Sequence, residues 1–159
     1  MKALITYFTM SGRTKKTAEA IASALKNYDI SYFPMELKGK FIEKIKQLDK
    51  FENNDFSAIE TGMDTLDAAN YDLIIIGMPT YGDKPPKAFE EVIDRMKNFS
   101  GKRVIVFNTA RFSGKKSLDY MKTKVEEKGT QVIDQARFRK VLWIGVKNAI
   151  KFGEQINEK

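Results

Sequence analysis

The chain has 159 residues, with 28 Lys and Arg against 21 Asp and Glu, a formal net charge of +7, and its length suits one domain (residues 1–159) with a substantial core. It holds neither cysteine nor histidine, which excludes disulfides, thiolate nucleophiles, thiolate-held iron–sulfur clusters, histidine triads and histidine metal sites. Redox chemistry, if present, must come from a bound cofactor.

Ala3 to Phe8 is an apolar, β-branched and aromatic run of strand length. It is broken by Thr6 and bounded by Thr9, too short for the core and cleavage site of a signal peptide. The longest other apolar run, Leu73 to Met78, cannot span a membrane, so the expected setting is cytoplasmic. After the strand come Thr9, Met10, Ser11, Gly12, Arg13 and Thr14, and then Ala18, Ile21, Ala22 and Leu25 at helical spacing. A hydroxyl-rich loop entering a helix suits an anion, because hydroxyls and unpaired N–H groups can surround phosphate oxygens. Gly12 lets the backbone turn close to such a ligand. The competing reading is that Ser11 or Thr14 simply caps the helix.

A turn at Asn27 to Asp29 precedes a second strand, Ile30 to Leu37, which Pro34 assigns to a sheet edge. Lys40 to Asp49 carries Phe41, Ile45 and Leu48 at helical spacing, whereas Phe51 to Leu66 has no clear period. Leu73 to Ile76 reads as a strand covered on both faces, running into Pro79, Thr80, Tyr81, Gly82 and Asp83. The next helix shows Phe89, Val92, Ile93 and Met96 on one face, starts near Pro86 and stops before Ser100. Arg103 to Phe107 is a fourth strand and leads into Asn108, Thr109, Ala110, Arg111, Phe112, Ser113 and Gly114. A helix over Lys115 to Lys128 ends at Gly129. Gln131 to Phe138 is a fifth strand, and Val146 to Ile156 a last amphipathic helix.

Alternating strands and helices imply an α/β fold, a doubly wound five-stranded parallel sheet in the order 2-1-3-4-5 with helices on both faces. The winding reverses between strands 1 and 3, so the loops after strands 1, 3 and 4 converge on one crevice. The first suits a phosphate. The others offer two aromatic planes, Tyr81 and Phe112, between which a flat heteroaromatic ring would be shielded from water. Taken singly, a residue such as Tyr81 more often packs on its own helix, and Phe112 packing into the core is as ordinary as a stacking role.

The run Tyr7-Phe8-Thr9-Met10-Ser11-Gly12-Arg13-Thr14, followed by Ala18 and Ile21, resembles the phosphate-loop signature of flavodoxins. Pro79-Thr80-Tyr81-Gly82 resembles their flavin-stacking loop, and Asn108 to Gly114 matches the position of their second flavin loop. The resemblance covers most of the chain and is weakest over Phe51 to Leu66 and after Phe138. It implies FMN as the cofactor, held by Thr9, Met10, Ser11, Gly12, Arg13, Thr14, Pro79, Thr80, Tyr81, Gly82, Asn108, Thr109, Ala110, Arg111, Phe112 and Gly114. Two departures stand out: Arg13 replaces the usual Asn, and the third loop has Arg111 where acidic residues are common.

The resemblance further implies a low-potential electron carrier that meets redox partner proteins, here with acidic surfaces suited to the positive charge, as a monomer or weak dimer. No catalytic side chain and no metal ligand is expected. The alternative is an FMN-dependent oxidoreductase of the NAD(P)H or quinone reductase type, or of the menaquinone-linked protoporphyrinogen oxidase type. At this length there is little chain from which to build a second substrate pocket. Response-regulator receivers share the topology, but Thr9 and Met10 do not supply their acidic Mg²⁺ ligands. Around Gly114-Lys115-Lys116-Ser117 the leading glycine and the hydroxyl after the first lysine of a P-loop are missing. No RNP, zinc-finger or recognition-helix pattern accompanies the lysines, so specific nucleic-acid binding is not expected.

Overall fold

A computed structural model describes residues 1–139 and 146–158. β1 (Lys2–Thr9), β2 (Asp29–Glu36), β3 (Leu73–Pro79), β4 (Arg103–Ala110) and β5 (Gln131–Arg139) form one parallel sheet in the order β2-β1-β3-β4-β5. Crossovers through α1 (Arg13–Ala24), α2 (Phe41–Lys50), α3 (Ala88–Arg95) and α4 (Lys115–Glu127) connect successive strands, and α5 (Val146–Ile156) follows β5. This is the expected class and strand order.

Each sheet face buries its own core, because side chains alternate between faces along a strand. Ile5, Ile75 and Phe107 join Ile21 of α1 and Phe152 and Ile156 of α5 on one side. Leu4, Phe8, Ile74, Ile76, Val104 and Val106 join Phe89 and Val92 of α3 and Leu118 and Met121 of α4 on the other. The continuous Leu73-Ile74-Ile75-Ile76 run is buried throughout, as a central strand requires. β2 lies at the sheet edge, as Pro34 implied, and Pro34 stands opposite Tyr7.

Four local readings change. β3 and β4 run beyond their expected ends, since Met78 and Pro79 pair in register with Asn108 and Thr109; Asn108, Thr109 and Ala110 are therefore strand residues rather than loop. α3 ends at Arg95 instead of near Ser100, because Lys97 bonds Leu66 and Ala68 through its backbone (3.0 and 2.9 Å). The aperiodic stretch after α2 holds two short 3₁₀ turns, Phe51–Asn53 and Met63–Thr65. Phe51, Phe56, Ile59, Met63 and Leu66 from it are buried beneath α3 and the sheet. Finally, α2 forms where its spacing predicted, yet none of its residues is buried. Leu48 packs against the core, while Phe41, Ile42 and Ile45 stay exposed.

Candidate functional site

β1 delivers the first loop to the C-terminal edge of the sheet. Gly12, at φ +82°, makes the turn into α1 and opens α1 without a side-chain cap. A Cβ there would meet nothing within 4 Å, so backbone conformation rather than space requires the glycine. The capping alternative does not hold for Ser11 or Thr14. Thr14 is buried, with its hydroxyl 2.9 Å from that of Thr109, and Thr9 Oγ1 accepts the Gly12 N–H at 3.0 Å. Each hydroxyl can donate as well as accept, so Thr9 keeps its own proton for a ligand. An uncapped helix start with no acidic residue in its first turn is an electropositive end that favours an anion.

The second loop is short and tied. Thr80 N donates to Thr109 O (2.9 Å), and Tyr81 exchanges backbone hydrogen bonds with Lys84 (2.9 and 3.3 Å). The Tyr81 phenol points at Met10, 3.7 Å from its sulfur, and not at its own helix. Burial pushes the Tyr81 pKa up to about 12, so the phenol remains protonated in the neutral range. Asn108 organises the third loop from below: it is fully buried, and its Nδ2 donates to Thr80 Oγ1 (3.0 Å) and Gly114 O (2.7 Å). Gly114 has φ +62°, and a Cβ there would lie 2.6 Å from that of Ala110. Phe112 is 81% exposed, which rules out the core alternative for it.

These loops enclose a cavity of about 140 Å³ lined by Thr9, Met10, Ser11, Arg13, Thr14, Pro79, Thr80, Tyr81, Thr109, Ala110 and Arg111. One residue outside the expected set, Phe41 from the first turn of α2, lines it too. A wider open cleft of about 570 Å³ shares Thr80, Tyr81, Ala110 and Arg111 and continues past Gly82, Asp83, Phe112 and Gly114. Of the expected residues, Gly12 shapes the turn and Asn108 supports the loops without lining either space. Among the residues lining the two spaces, Asp83 is the sole carboxylate, and it pairs with Lys116 at 2.8 Å. The hydrogen bond to Asp83 raises the Lys116 pKa. The site therefore pairs an electropositive end, the start of α1 with Arg13, with an apolar aromatic region bordered by Arg111.

A family model described as flavodoxin matches residues 2–138. The chain is 28% identical over 140 residues to a protein of Bacillus subtilis (strain 168) named "Probable flavodoxin 2", covering 83% of this chain and 77% of that protein. Its backbone superposes on a Lactobacillus acidophilus NCFM flavoprotein solved in complex with FMN at a TM-score of 0.62, with 28% identity over 86% of this chain and 92% of the other. A flavodoxin from the domain Archaea shares the fold at a TM-score of 0.63, with 21% identity over 99% and 97% of the two chains.

Proposed function

The chain belongs to the flavodoxin family, and from that premise we propose that it binds one FMN in the crevice above β1, β3 and β4 and carries electrons between redox proteins. The observation that carries the reading is the uncapped start of α1 opening into the cavity walled by Tyr81. The residues present fit the group. Ser11, Thr9, Arg13 and the first amides of α1 suit a phosphate dianion. Tyr81 and Phe112 supply aromatic surface for a flat ring, and the open cleft of about 570 Å³ beside the smaller cavity falls within the size range of cofactor sites. Bound FMN would supply one-electron chemistry in two steps, which no side chain of this histidine- and cysteine-free protein supplies.

The residues' part is to bind, orient and shield. The phosphate end anchors the ligand, Tyr81 excludes water from one side of the ring, and the open cleft beside Phe112 leaves an edge accessible to partners. Net charge +7 favours partners with acidic surfaces. That open cleft also supports a second reading, an FMN-dependent oxidoreductase that admits a small substrate such as NAD(P)H or a quinone. The two are separated by mixing FMN-loaded protein with NADPH or NADH, then titrating it with dithionite. A carrier gives negligible nicotinamide oxidation and two resolved one-electron steps. Rapid, saturable NAD(P)H oxidation would replace the carrier reading with the enzyme.

A further inference from the structure

The first turn of α2 presents an apolar side chain to the crevice that the loop-based site leaves out. Phe41, Ile45 and Leu48 lie at i, i+4 and i+7, on one face of the helix. Leu48, at the far end of that stripe, packs on the core. Phe41, at the near end, lines the same cavity as Thr9, Met10 and Tyr81 while remaining 67% exposed. Its place is fixed. Lys44 Nζ donates to Met10 O at 3.1 Å, tying α2 to the phosphate loop, and Gln47 Nε2 holds Lys38 O at 2.8 Å. Met10 in turn accepts the Tyr81 hydroxyl. Phe41, Met10 and Tyr81 thus line one cavity, with Met10 bonded both to α2 and to Tyr81.

The geometry points to Phe41 as a fourth contact of the site, an apolar wall against the uncharged part of the bound FMN, held by the Lys44–Met10 clasp. This rests on the FMN reading above. A benzyl group has nothing to offer a phosphate dianion, whereas covering part of a heteroaromatic ring removes apolar surface of both from water. Ile42 is the natural control: it is 68% exposed, adjacent in sequence, and absent from the cavity lining.

The test is a fluorescence-quenching titration of apoprotein with FMN and, separately, with riboflavin, for wild type, Phe41→Ala, Phe41→Leu and Ile42→Ala. Phe41→Ala should raise both dissociation constants by a similar factor, roughly three- to tenfold, leaving the ratio between the two flavins unchanged. Phe41→Leu should recover most of the loss, and Ile42→Ala should behave as wild type. The visible circular dichroism of bound flavin should change in Phe41→Ala alone. The melting temperature of the apoproteins should not move, since Phe41 supports no core. Unchanged flavin affinity in Phe41→Ala, with wild type binding FMN, would overturn the assignment and leave Phe41 facing a protein partner or a second copy. Equal weakening by Ile42→Ala would also overturn it, as loss of α2 in general. Failure of wild type to bind FMN at all would remove the parent reading with it.

Discussion

Arg111 sets the character of the site at the scale of single residues. It borders both the cavity and the open cleft, where the sole lining carboxylate, Asp83, is paired with Lys116 at 2.8 Å. An extra electron on the ligand would meet positive rather than negative charge. At ~8 Å and an effective dielectric of ~20, one such charge is worth ~2 kcal/mol, or roughly 90 mV per electron. Arg111 is exposed, so screening reduces this several-fold. Redox titration at low salt should find the second potential of Arg111→Gln more negative than wild type by roughly 10 to 40 mV, an offset that shrinks as salt is added. Equal potentials would show that Arg111 takes no part in tuning. The presence of Arg111 could be read from sequence, but Phe41 could not be separated from the core: an aromatic at helical spacing signals burial, and only the folded structure, with Lys44 of α2 bonded to Met10 O, shows Phe41 lining the cavity.

Strands and helices were legible wherever one period ran without interruption. β1, β3, α1, α4 and α5 carry continuous apolar runs or clean stripes, and of these β1 and β3, with β4, deliver the loops that line the crevice. The segment after α2 was not legible because its anchors, Phe51, Phe56, Ile59, Met63 and Leu66, follow neither period 2 nor 3.6; they are buried from 3₁₀ turns and bends. The ends of β3 and β4 were missed for a different reason. Polar Asn108 and Thr109 look like loop, yet a parallel ladder needs only their backbones, and both side chains are buried. Close approach between these strands is also a matter of element geometry. Gly77 stands opposite Phe107, whose ring would collide with a Cβ at Gly77 and also meets Phe138 edge-on at 5.9 Å. Gly77→Ala should therefore destabilise the fold by ~1–3 kcal/mol in urea unfolding at unchanged m, and adding Phe107→Leu should recover part of that loss. A neutral Gly77→Ala would contradict the packing described.

For the whole molecule, function follows from where the winding of the sheet reverses. α1 and α5 cover one face while α3 and α4 cover the other, so the loops after β1 and β3 diverge and leave a crevice between them. The strand order and the crevice lined by the loops after β1, β3 and β4 were accessible from the amino-acid sequence, since each depends on periodicity and loop chemistry. The fourth wall from α2 was not, because it depends on how a helix lies across the finished sheet. Among the described residues no helix is long and apolar enough to cross a membrane. The central claim is that the loop after β1 and the start of α1 hold a phosphate while the aromatic loops hold the ring. The most direct measurement is the pair of dissociation constants of wild-type apoprotein for FMN and for riboflavin, which differ only in that phosphate. FMN should bind at least ~10-fold more tightly, a difference of ~1.4 kcal/mol or more. Equal affinity for the two flavins would contradict the phosphate site and the account built on it.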